Sequence, residues 1–90
     1  MKAAQRIRLF DDVFAREGGR CVYCGVAARR PGRGVKRGPD LATLDHVVPR
    51  SFGGPLTRDN IVLACSACNN ERGTMDPQDF RTLKARRKEP

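Results

Sequence analysis

Ninety residues predict a small α+β domain: a two-stranded antiparallel hairpin held between cysteine knuckles and flanked by an N-terminal and a C-terminal helix. Three observations carry that expectation. Two Cys-x-x-Cys pairs, Cys21/Cys24 and Cys65/Cys68, bracket the middle of the chain. Between them lie two short apolar runs, 41–48 and 60–64, parted by Gly53-Gly54-Pro55 and Thr57-Arg58-Asp59, which read as strands joined by a wide loop. Helical spacing and helix-start signals fall outside the hairpin.

A chain of this length makes one domain, 1–90, and buries too little of its surface to be comfortable without a staple. With 6% aromatic residues, no Trp and 31% charged residues, its core is expected to be small. The four cysteines are the natural staple, because thiolate pairs at this spacing present four sulfurs to one tetrahedral zinc. Disulfides are the competing arrangement. The start, Met1 to Arg6, lacks the apolar stretch of a secretory signal, which favours a reducing cytoplasm and free thiols. The long separation between the pairs suits a hairpin inserted between two knuckles.

Residues 5–17 place Ile7, Phe10, Val13 and Phe14 on one face, with Gly18-Gly19 as a stop, and predict an amphipathic helix leaning on the first knuckle. Tyr23, inside the first cysteine pair, reads as a packing residue. Residues 29–40 hold two prolines, three glycines and five basic side chains without apolar periodicity, and read as a loop. That loop is either a solvated linker or a basic arm that brings Arg33, Lys36 and Arg37 to a phosphate backbone. Ser66 can cap a helix running to about Arg72, with Gly73 at its end. Asp76-Pro77 opens a last helix, about 77–87, with an apolar edge of Phe80 and Leu83 and a basic end of Lys84, Arg86, Arg87 and Lys88.

The formal charge of +8 and the pI near 10.2 point to a polyanionic partner or to a solvated basic surface. No apolar run approaches membrane-spanning length, so a membrane partner is not expected.

The single histidine follows a carboxylate, in Leu44-Asp45-His46-Val47-Val48-Pro49-Arg50-Ser51-Phe52-Gly53-Gly54. Downstream come Asp59-Asn60-Ile61-Val62-Leu63 and Cys65-Ser66-Ala67-Cys68-Asn69, then Gly73. From about Cys21 to Gly73 this pattern resembles the HNH family of metal-dependent nucleases, built on a ββα-metal, treble-clef-like core. The resemblance sets His46 at the family's first His, Asn60 at its central Asn and Asn69 at its final position. Asp45 is one of the residues accepted before the His.

What the resemblance implies is attack of water on a DNA phosphodiester. That reaction needs a base for the water and positive charge for the phosphate and the leaving oxygen. His46, whose ordinary pKa lies near neutrality, suits the first task. Asp45 and Asn69 suit the second by offering oxygens to magnesium, manganese or another divalent ion, beside the structural zinc. Neighbouring strand residues point to opposite faces, so Asp45 and His46 share a site only where the strand end is distorted or the metal sits at its edge. Asn60 takes the family's structural part, bracing the loop and orienting the base. Arg50 and Arg72 lie beside the motif and could clamp the scissile phosphate.

Three readings from different classes follow. The first is a nuclease that nicks or cuts double-stranded DNA with weak sequence preference, since no segment resembles a base-reading module. The second is a catalytically inactive, zinc-stapled nucleic-acid-binding module. The third, a redox protein using Cys-x-x-Cys chemistry, lacks a thioredoxin-like βαβ context. Small free-standing members of the family are frequent in phages and mobile elements, and some act beside a packaging terminase. A bacterial or phage-infected cytoplasm is the setting this implies.

Overall fold

The computed structural model describes the backbone of residues 2–88 and the side chains through residue 86; the side chains of Arg87 and Lys88, at the anticipated basic end, lie outside the described residues. In chain order the elements are α1 (Ala3–Arg16), β1 (Ala42–His46), β2 (Ile61–Cys65), α2 (Ser66–Arg72) and α3 (Pro77–Lys88). Two 3-10 turns, Arg50–Phe52 and Arg58–Asn60, sit in the loop between the strands. Among the described residues no helix is long and apolar enough to cross a membrane.

β1 and β2 pair antiparallel, with Leu44 opposite Leu63, Asp45 opposite Val62 and His46 opposite Ile61. Both strands are five residues long, and β1 stops at His46 because the chain must turn towards Pro49, which has no amide hydrogen to continue a ladder. Directly opposed residues share a face. The hairpin therefore has two dressed sides, and each carries its own small core.

On one side α1 lays Leu9 and Val13 against Ala42, Ile61 and Leu63, with Phe10, Phe14, Leu44 and Leu56 packed around them. On the other side Tyr23 of the first knuckle and Phe80 of α3 join Ala64 and the buried sulfurs of Cys21, Cys65 and Cys68. The rings of Tyr23 and Phe80 meet edge to face at 5.0 Å. Helix α1 thus packs on the face of the hairpin away from the cysteines, rather than on the first knuckle. The apolar stripe also differs from the anticipated one: Leu9 is buried and Ile7 is 62% exposed. The stripe runs through positions 9 and 13, and Ile7, two residues before Leu9, lies on nearly the opposite side of the helix.

Local signals account for the helix ends. Gly18 and Gly19 adopt positive φ, and the Gly19 amide donates to Phe14 O, closing α1 where the glycine pair stands. Asp76 caps α3 through Oδ1, which accepts from the amides of Gln78 and Asp79, with Pro77 at the first helical position. The cap of α2 departs from expectation. Cys65 takes the place foreseen for Ser66, its Sγ accepting from the Cys68 amide at 3.4 Å. One sulfur thereby ends the strand and starts the helix.

Long-range polar ties fix α1 and the interstrand loop. Arg16 reaches from the last turn of α1 to Arg58 O at 2.8 Å and Ile61 O at 2.6 Å. Arg58 pairs with Asp12, and Arg30 pairs with Asp11 while lying over the Phe10 and Phe14 rings.

Within the interstrand loop, Gly54 is the position where two backbone segments cross. A Cβ there would stand 1.8 Å from Val48 O, a contact no side-chain rotation relieves. Gly54→Ala should therefore displace the loop and lower stability by about 1–3 kcal/mol or more, as overpacking does. Urea unfolding of the variant checks this, and an unchanged midpoint would contradict the crossing.

Candidate active site

His46 ends β1 and projects, with Leu44, to the α1 side of the hairpin. There it lines an open cleft of about 460 Å³ with Arg6 and Leu9 of α1, Arg50 and Leu56 of the interstrand loop, and Gly54. No carboxylate lines this cleft among the described residues. Its two guanidiniums make it a place for an anion, and the half-buried imidazole faces the same opening. Arg6 is a member the sequence did not reveal. A basic residue on a helix reads the same whether it faces bulk water or a cleft three residues before a core leucine.

Asn60 is buried and its amide spans the base of the loop. Oδ1 accepts from the Val48 amide at 2.8 Å, while Nδ2 donates to Val48 O at 3.1 Å and Pro55 O at 2.9 Å. The Val47 amide donates to Asn60 O at 2.8 Å, so the hairpin pairing runs one residue past His46. These bonds hold the segment that follows the imidazole, and with it Arg50.

Asp45 points the other way. Its carboxylate is buried on the α2 side, where Oδ2 accepts from the Tyr23 hydroxyl at 2.7 Å and from Arg72 Nε at 2.8 Å, and Oδ1 accepts from Arg72 Nη2 at 2.6 Å. Arg72, buried at the end of α2, completes its fork by donating from Nη1 to Met75 O at 2.6 Å. Burial and the bond to Asp45 push the Tyr23 phenol above its ordinary pKa, so it stays protonated and donates. Burial works against the charge on Arg72, yet hydrogen bonding to Asp45 and the carboxylate's charge hold its pKa above the ordinary value. The result is a closed buried ion pair with bidentate geometry.

Two assignments change with this arrangement. Arg72, foreseen as a phosphate clamp, is enclosed, with its guanidinium committed to Asp45 and Met75. Asp45, foreseen as the charged ligand of a divalent ion, has both oxygens occupied on the face opposite His46. Asn69 lies on the Asp45 side, its Nδ2 donating to Thr43 Oγ1 at 3.0 Å. A divalent cation could reach Asp45 only by displacing Arg72 and Tyr23, so the Asp45 and Asn69 set, as arranged, does not fit an open oxygen site. Tyr23 was foreseen as packing alone. Its polar tip, placed between two cysteines in a buried stretch, is the signal that its hydroxyl needs an acceptor.

The cysteines behave differently. Cys21, Cys24, Cys65 and Cys68 are free thiols whose sulfurs all lie within 4.8 Å of one another. The Cys24 and Cys65 sulfurs are 3.8 Å apart, matching the separation of about 3.8 Å that four sulfurs about 2.3 Å from a tetrahedral zinc would have. Burial opposes ionisation at Cys21, Cys65 and Cys68. It pushes the Cys65 and Cys68 thiols up, whereas backbone hydrogen bonds at Cys24, Cys65 and Tyr23 outweigh it at Cys21 and bring that thiol down to about 7. Such a set could hold a zinc ion, whose charge would offset thiolates that burial alone disfavours.

The 29–40 loop is tied at its base and open at its tip. Arg29 donates from Nε to Asp40 Oδ1 at 2.9 Å and from Nη2 to Lys36 O at 3.0 Å. Arg33, Lys36 and Arg37 are exposed.

A family model described as HNH endonuclease matches residues 21–74, which takes in both cysteine pairs, the hairpin and α2. No curated protein matches the chain.

Because the Asp45–Arg72 pair is buried, removing one partner strands the other. Asp45→Leu or Arg72→Met alone should cost about 3–5 kcal/mol, and the double variant should recover much of that loss. Thermal unfolding of the two single variants and the double checks the coupling; simple additivity would contradict a closed pair.

Proposed function

We propose that this chain, which belongs to the HNH endonuclease family, is a nuclease that hydrolyses phosphodiester bonds of double-stranded DNA in the cleft around His46. Family membership carries a nuclease-type or nucleic-acid-binding function. The observation that supports the finer reading is the company His46 keeps: two arginines and no carboxylate in one open cleft among the described residues. In that setting a neutral imidazole can take the proton of an attacking water. Arg50 and Arg6 can neutralise charge that builds on the phosphate oxygens.

Asn60 is the positioning residue, since its amide holds Val48 and Pro55 and so sets where Arg50 stands relative to the imidazole. Magnesium or manganese at Asp45 and Asn69 would have to open the pair with Arg72. Proton transfer and phosphate binding are therefore ascribed to His46 and to the arginines of its own cleft. Arg33, Lys36 and Arg37, exposed on the long loop, add sequence-independent attraction to the duplex. Weak sequence preference follows from contacts that are mostly to phosphates.

A second reading, a zinc-stapled nucleic-acid-binding module without activity, is favoured by one observation: the carboxylate that would hold a catalytic cation is already satisfied internally.

A plasmid-nicking assay of the wild type and His46→Ala, with magnesium, manganese or a chelator, separates the two. The nuclease reading expects nicking by the wild type and at least a hundredfold loss in His46→Ala, in line with removal of a general base. Fold and DNA affinity should persist in the variant. DNA binding without cutting under every condition would leave the binding module in its place, and full activity of His46→Ala would remove His46 as the base.

A further inference from the structure

Phe52 has no structural employment. It is 80% exposed, whereas Phe80 is fully buried and Phe10 and Phe14 stack on one another at 5.8 Å and pack against the α1 core. A single apolar side chain in water is ordinary on a protein surface. Its setting is what distinguishes this one. Phe52 closes the 3-10 turn Arg50–Phe52, and that turn also delivers Arg50 to the His46 cleft, with Gly54 following as part of the cleft wall.

The ring is presented from braced backbone. The Phe52 amide donates to Pro49 O at 3.0 Å, Gly53 donates to Arg50 O at 3.0 Å, Gly54 donates to Pro49 O at 3.0 Å, and the Asn60 amide clamps both ends of the segment. Little backbone freedom remains to be lost when the ring meets a partner. Val47 and Val48, 39% and 46% exposed, add apolar surface to the same loop. From Val47 to Arg58 the loop carries two arginines and no carboxylate. An apolar ring on an acid-free, arginine-bearing turn suits a partner that combines stacked aromatic faces with negative charge.

We propose that Phe52 is a wedge that inserts at a base step of duplex DNA beside the phosphate held in the His46 cleft. The proposal rests on the nuclease reading and adds to it a contact with bases. Insertion of an apolar side chain partly unstacks a step and kinks the duplex, and it costs least at flexible pyrimidine–purine steps. Phe52 would therefore bias where the chain cuts without reading any base edge by hydrogen bonds.

The chain contains no Trp, so Phe52→Trp creates a single indole reporter at the tip. In a His46→Ala background, which leaves the DNA intact, duplex binding should quench the emission of that indole as it stacks on bases. Phe52→Ala should weaken duplex binding about tenfold, the scale of one lost base–aromatic contact. It should leave the dependence of log K on log salt unchanged, whereas Arg50→Ala should flatten it by about one phosphate contact. Unquenched emission with binding intact, or equal affinity of Phe52→Ala and the wild type, would overturn the wedge and leave the nuclease reading standing. Failure of the unaltered chain to bind duplex DNA would overturn both.

Discussion

Four sulfurs meeting at one point set the geometry of this chain. Cys21 and Cys24 come from the first knuckle, and Cys65 and Cys68 from the junction of β2 and α2, so their cluster joins residues more than forty positions apart. Cys65 is at once the last residue of β2 and the cap of α2, which makes the direction of that helix depend on where the sulfur is held. The apolar cores cannot supply this constraint alone. Each is a thin layer on one side of a two-stranded sheet, and a two-stranded hairpin is marginal in water without something packed or bonded against it. A cation in the thiol cluster would convert binding energy directly into folding energy.

The hairpin then divides labour between its faces. The face towards α2 holds the buried Asp45–Arg72 pair with the Tyr23 hydroxyl, tying strand, helix and knuckle through one carboxylate. A buried pair of this kind is costly to break and adds less net stability than its bonds suggest, so its effect is to specify one docking of α2. The face towards α1 keeps its titratable group, His46, in an open cleft with Arg6 and Arg50. Adjacent residues in the chain thus serve opposite purposes: Asp45 is closed off and His46 is accessible.

Local chemistry was legible in the sequence because it is written in neighbouring residues. Gly18-Gly19, Asp76-Pro77 and the two cysteine pairs each specify their structure within a few positions, and the structure follows them. What depended on partners far along the chain was not legible. Arg72 and Asp45 are separated by 27 positions, and an arginine after a cysteine pair reads alike whether it meets a phosphate or a carboxylate. Ile7 and Leu9 are both apolar and lie on nearly opposite sides of α1, so the way the helix docks on the hairpin decides which of them is covered. Ser66 is the better cap by residue type, but the sulfur of Cys65 was already fixed beside the helix start by the thiol cluster. The family pattern located His46, Asn60 and Asn69 along the chain; it carried no information on which face of β1 each neighbour would occupy.

Zinc content read together with folding tests the dependence on the thiol cluster most directly. Native mass spectrometry of the purified chain should find one zinc per molecule with all four thiols free. Stripping that ion with a strong chelator should abolish the far-ultraviolet circular dichroism of the folded chain, and added zinc should restore it. A folded chain that carries no metal, or one whose cysteines are oxidised to two disulfides, would contradict the account.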